Sequence, residues 1–165
     1  MQNIIIRKGS IVTADVDAII IPANSTGAMP GGVAGAIKLV AGNEVEEDAI
    51  AQAPIHIGSA ILTTAETLPA RNLIHAPVME HAGAKTNEDY IRSAMEAALD
   101  LAEDNNFLSV AIPGMGTGTG GVSPKISAKI MIQIIKAHPK ILEIILVDIS
   151  DDMVSAWKSA IKIYK

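Results

Sequence analysis

Hydrophobic positions change period repeatedly along this chain. Asn3 to Arg7 and Asp17 to Ile21 are short β-branched runs. The second is apolar without alternation, the pattern of a strand buried on both faces. Ala60 to Thr64 and Asn72 to Ala76 read as further strands, the latter ended by Pro77. Leu108 to Ile112 and Ile141 to Val147 complete the set. Between them the period lengthens to that of helices. Val33, Ile37 and Val40 predict one apolar stripe, stopped by Gly42. Asn87 caps a second helix, with Glu88 and Asp89 in its first turn and Ile91, Ala94, Met95, Ala98 and Ala102 as its buried side. Ser123 and Pro124 open a third, carrying Ile126, Ile130 and Ile134. Ser150, Asp151 and Asp152 open a fourth, bearing Met153, Val154, Trp157 and Ile161. Strands separated by helices of this length predict an α/β fold: a three-layer α/β/α sandwich around a largely parallel, mixed sheet.

Composition narrows the picture. With 165 residues, 49% of them hydrophobic, the chain is expected to form a single domain over 1–165 with a real core. Only Phe107, Tyr90, Tyr164 and Trp157 are aromatic, so that core is aliphatic and no base-stacking platform is available. A net charge of −5 argues against broad affinity for nucleic acid. Apolar runs are shorter than a membrane span. The lack of cysteine excludes thiolate metal sites, and with no charged-then-apolar leader before the first strand the chain reads as cytoplasmic.

Two loops invite chemistry. Residues 22–32 follow Ile21, and residues 113–122 follow Ile112; each leaves a buried strand, is rich in glycine and enters a helix. In sheets of this kind ligands sit at the carboxyl ends of strands. A helix N-terminus preceded by glycines offers unpaired N–H groups and the positive end of a dipole to an anion that no Cβ obstructs. Two such loops suit a diphosphate gripped from both sides. Residues 116–121 also match a dinucleotide fingerprint, and a Rossmann-like oxidoreductase is one reading of it. That reading lacks its acidic partner, because Glu143 falls near the start of the next strand and Asp148 comes late. A Walker loop is excluded, since Lys125 is followed by Ile126.

The segments "DAIIIPANSTGAMPGGVAGAI", "NLIHAPVM" and "IPGMGTGTGGVSP", in that order, resemble a stand-alone macro domain with a Gly-Thr-Gly second loop. The resemblance runs through essentially the whole chain. It implies binding of ADP-ribose, or of an ADP-ribosylated molecule, in a cleft atop the sheet, without a further cofactor or metal. On this resemblance Gly31, Gly32, Val33 and Ala34 surround the distal ribose and diphosphate, beside Ala23 and Asn24. Gly116, Thr117, Gly118, Thr119 and Gly120 close the other side. Asn24 aligns with the asparagine that reaches the distal ribose, and Ser10 and Ile11 fall where the family recognises adenine.

Four departures bear on activity. Ser10 stands where an aspartate is common in the family, giving an uncharged acceptor for the exocyclic amine. The paired-asparagine signature is reduced to Asn24. Ala34 stands where hydrolase branches carry an aspartate, and Gly120 replaces an aromatic lid. Two uses of one cleft follow: ADP-ribose binding, or slow hydrolysis of ADP-ribosyl groups or of ADP-ribose phosphate, with Asn24 as the one surviving catalytic candidate.

Other polar residues have simpler readings. His75, inside an apolar run, is expected to be a satisfied core histidine. Asp17 is expected to cap backbone. Lys125, Lys129, Lys136 and Lys140 form a solvated helix face. His56, His81 and His138 share no metal-ligand spacing.

Overall fold

The computed structural model describes residues 1–164. Six strands form one sheet: β1 (Asn3–Lys8), β2 (Ala18–Asn24), β3 (Ile61–Thr64), β4 (Asn72–Met79), β5 (Ser109–Ile112) and β6 (Glu143–Asp148), in the order β1-β6-β5-β2-β4-β3. All neighbours are parallel except β3, which runs antiparallel on the edge. The helices are α1 (Gly32–Ala41), α2 (Asn43–Ala51), α3 (Glu88–Asp104), α4 (Pro124–Lys136) and α5 (Asp151–Ile163). The expected mixed α/β/α sandwich is what forms.

The alternation of strand side chains divides the core in two. Ala18 and Ile20 of β2, Val110 and Ile112 of β5, and Ile144 and Leu146 of β6 join α3, α4 and α5. Ile19 and Ile21, Ala111, and Ile145 and Val147 point the other way, towards α1 and α2. β2 and β6 are therefore apolar at successive positions because both faces are covered. Among the described residues no helix is long and apolar enough to cross a membrane.

The structure corrects several local expectations. β2 runs on through Pro22 and Ala23 to Asn24, so the first loop begins at residue 25 rather than 22. β4 continues past Pro77 to Met79. Its partner β3 stops opposite His75, so beyond that point a proline nitrogen faces a ladder on one side only. The buried stripe of α1 is Ala34 and Ile37 with half-buried Val33 and Ala41, while Val40 lies in solvent. In α4, Ile126 is exposed and Ile130 and Ile134 are buried; the buried side also takes Ala128, Met131, Ile132 and Ile135, because α4 packs between α3 and α5. Asp17 behaves as a cap: its Oδ2 accepts from the N–H groups of Leu108 at 2.7 Å and Ser109 at 3.3 Å.

Candidate functional site

At the carboxyl ends of β1, β5 and β6 the chain encloses a cavity of about 90 Å³. Ser10 and Ile11 line it together with Gly32 and Val33, so two segments far apart in sequence meet where the parallel ladder of β1 and β6 ends at Lys8 and Asp148. Pro113, Asp148 and Ile149 complete the wall. Pro113 opens the second glycine loop of the sequence, whereas Asp148 and Ile149, at the end of β6 and just after it, were not among the expected site residues. Ser10 is held as the cap of a short helical turn, Ile11–Thr13, its Oγ accepting from the Val12 N–H at 3.4 Å. Among the described residues Asp148 is the sole ionisable group lining this cavity. Its Oδ2 accepts from the Gly114 N–H at 2.9 Å and its Oδ1 from the Ser150 N–H at 2.9 Å, which ties the β5 loop to the β6 end.

The start of α1 enters the same space. Asn87, Ser123 and Ser150 each accept a backbone N–H at the heads of α3, α4 and α5, whereas Gly31 caps α1 with no side-chain acceptor. No acidic residue stands in its first turn. The leading N–H groups of α1 therefore have no competing carboxylate or hydroxyl within the helix. A Cβ at Gly31 or Gly32 would meet nothing within 4 Å, so the approach is open. Ala23 and Ala34, by contrast, are buried in the apolar layer beneath the loop and form its floor rather than its surface.

Asn24 is placed differently from the expectation. Its side chain is buried and turned into its own loop: Oδ1 accepts from the N–H of Thr26 at 3.0 Å and from Thr26 Oγ1 at 2.6 Å, and Nδ2 donates to the Ala28 carbonyl at 3.0 Å. Here it shapes residues 25–28, because a buried carboxamide bonds to the backbone turn nearest to it. The Met29 N–H is held by Glu46 Oε2 at 2.6 Å, and Glu46 also binds Lys38 Nζ at 2.8 Å. These bonds to Lys38 and Met29 hold the Glu46 carboxyl below the usual carboxylate range. A larger hollow, about 320 Å³, lies on the other side of α1 beside Met29 and Leu39, but its cation, Lys38, is already paired with Glu46.

In the second loop, Gly118–Gly120 form one helical turn that leaves Gly118 and Thr119 exposed, while Thr117 is half-buried and Gly116 and Gly120 are buried. Not all its glycines face open space. A Cβ on Gly116 would lie 2.6 Å from Ile91 Cδ1, and one on Gly120 would lie 2.8 Å from Thr86 Cγ2. Only at Gly118 is the added atom in open space despite φ +40°. None of residues 116–120 lines the 90 Å³ cavity. Lys85, which no motif singles out, donates to the Thr119 carbonyl at 3.3 Å and adds a cation to this rim.

The macro domain family signature matches residues 20–131, which hold most of β2, both glycine loops and α1 to α3. This chain belongs to the macro domain family. A protein of Aquifex aeolicus is 49% identical over 162 residues, covering 97% of this chain and 98% of that protein. The fold is shared with the Trypanosoma brucei macrodomain solved in complex with ADP-ribose, at a TM-score of 0.85 and 23% identity, over 96% of this chain and 68% of that one. It is shared equally with the Oceanobacillus iheyensis macrodomain solved with ADP, at a TM-score of 0.83 and 24% identity, over 96% and 89% of the two chains. The macro domain here thus keeps the fold of its relatives while carrying serine at position 10 and alanine at position 34.

Proposed function

We propose that this macro domain binds ADP-ribose across the carboxyl edge of its sheet. The observation that carries the reading is the bare N-terminus of α1, uncapped by any side chain and free of acidic residues, opening beside the cavity that Ser10 and Ile11 line. The diphosphate is held by the leading N–H groups of α1 from Gly32 to Ala34, where the helix dipole favours an anion. The adenine lies over the Ile11, Val33 and Ile149 end, with Ser10 and Asp148 as the polar groups that meet its amine. The distal ribose lies between residues 25–31 and the turn of Thr117 to Gly120. Exposed Gly118 and Thr119 leave that end uncovered, which suits an ADP-ribosyl group still attached to a larger molecule.

Binding rather than turnover is the reading supported. Ala34 supplies no proton acceptor and is buried, and the Asn24 carboxamide already holds its loop. The test is a titration of 15N-labelled protein with ADP-ribose and, separately, with AMP. ADP-ribose is expected to shift the amides of Gly32, Val33 and Ala34 and those of residues 117–120 together, and AMP to leave the second group unmoved. Shifts confined to Lys38, Leu39 and Asn43 would move the ligand to the outer hollow and contradict the proposal.

A further inference from the structure

At the edge opposite the cleft, three groups of metal-ligating chemistry converge. His138 follows α4, and its carbonyl accepts from Gln2 Nε2 at 3.0 Å, just before β1 begins, so it lies at the amino ends of the strands. Its ring is buried, with Nδ1 2.8 Å from the Ile134 carbonyl. A carbonyl only accepts, so Nδ1 carries the proton and donates, and Nε2 is the atom left to face outward. Asp100 Oδ1 stands 2.8 Å from Nε2 and Glu103 Oε1 stands 4.0 Å from it. The two acids are one turn apart on α3, and the three donor atoms lie within 4.8 Å of one another.

We infer that His138, Asp100 and Glu103 form a site for a divalent cation of the zinc class. An imidazole whose Nδ1–H is fixed on a backbone carbonyl presents Nε2 as a ligand in one orientation, the usual outer-shell arrangement of metal-bound histidine. One nitrogen and two carboxylate oxygens suit Zn²⁺ or Co²⁺ better than Mg²⁺ or Ca²⁺, which take oxygen alone. Ligand bonds of about 2.0–2.2 Å in a tetrahedron place donors roughly 3.3–3.6 Å apart. Asp100 must therefore move away from Nε2 by about 0.5–0.8 Å and Glu103 towards it by about 0.4–0.7 Å, while the two carboxylates, now within 4.8 Å of each other, close to the same spacing. The Asp100 side chain is 67% exposed and free to do so, and on that side water can complete the coordination. Without the cation, the 2.8 Å contact between Nε2 and Asp100 holds a proton; the cation takes that proton's place, joining α3 to the connection between α4 and β6.

The test uses the full chain without a histidine tag. Zn²⁺ is titrated calorimetrically, thermal unfolding is followed with and without it, and Co²⁺ is added as an optical probe. The expected results are one ion per chain, a midpoint raised by about 5 °C or more at saturation, and visible Co²⁺ absorption. Asp100→Asn, an exposed and isosteric change that leaves the fold intact, is expected to weaken Zn²⁺ at least 10-fold. His138→Gln should abolish the Co²⁺ absorption. The double variant His56→Ala, His81→Ala should bind as the parent does. Equal Zn²⁺ affinity in the parent, Asp100→Asn and His138→Gln proteins, or no binding by the parent, would reduce the cluster to an ion pair and overturn the inference.

Discussion

Gly116 and Gly118 stand two residues apart in one loop for different reasons. Both have positive φ, +73° and +40°, but a Cβ at 116 would run into buried Ile91 while one at 118 would meet nothing. Gly116→Ala is expected to cost about 2–4 kcal/mol, from backbone strain plus overpacking. Gly118→Ala should cost about 1 kcal/mol, from backbone strain alone. Urea unfolding of the two variants checks the order, and the reverse order would put the loop's constraint on its outer surface. The glycine richness of the second loop was legible in the sequence, but its cause was not, since Gly114, Gly116 and Gly120 are closed in by Met153, Ile91 and Thr86. His75 supplies a second test at this scale. It is fully buried, its Nε2 lies 2.7 Å from Thr63 Oγ1, and Nδ1 has no partner among the described residues, so the expected core histidine is only half satisfied. Burial pushes its pKa from 6.5 down to about 4. Between those values the unfolded chain takes up a proton that the folded one refuses, so stability is full above pH 6.5 and falls by about 3 kcal/mol on the way to pH 4. His138 acts in the opposite direction: burial lowers its pKa, but the Ile134 carbonyl and the carboxylates of Asp100 and Glu103 outweigh this and raise it. Its contribution is present in acid and is lost as pH rises through the folded value. Stability measured against pH for the parent and for His75→Gln isolates the His75 slope, and identical acid slopes would contradict it.

At the scale of elements, caps decide what each helix head can do. Ser123 Oγ accepts from the Ile126 N–H at 3.3 Å, so Ser123→Ala should destabilise the protein by about 1 kcal/mol without touching the cleft. A matching loss of ADP-ribose affinity would show that α4 belongs to the site. The caps of α3, α4 and α5 were legible because each is a polar residue just ahead of a periodic apolar stripe. α2 was not legible. Gly42 ends α1 and at the same time caps α2, and the run Asn43–Ala51 buries only Val45 and Ala49, too few to show a period. The extension of β2 to Asn24 was hidden in the same way, since its proline and asparagine carry turn chemistry that the ladder with β4 overrides.

For the whole molecule, the two apolar layers share β2, β5 and β6, so neither can melt without exposing the other's strands. Trp157, the chain's one tryptophan, is fully buried in the α3–α5 layer and reports that side. Its fluorescence and far-ultraviolet circular dichroism are expected to change at one denaturant midpoint. Separate midpoints would show α1 and α2 loosening alone. The layer order and the sheet's parallel character followed from the alternation of strand-like and helix-like periods. What did not follow was the convergence of α3 with the segment after α4 at the amino edge, because His138 lies 38 residues from Asp100. Sequence spacing reports ligands on one element, not those brought together by helix packing.

If the bare head of α1 holds the ligand's diphosphate, Gly31→Asp should displace it. Gly31 has φ −168°, extended backbone that any residue adopts, whereas Gly32 at φ +59° would add strain of its own. An aspartate there caps the helix and satisfies its dipole, so thermal stability should hold or rise slightly. The same carboxylate occupies the anion's place and repels it, so calorimetric titration should show ADP-ribose affinity at least 100-fold weaker, about 3 kcal/mol. Undiminished affinity in a stably folded Gly31→Asp protein would place the diphosphate elsewhere and contradict the account.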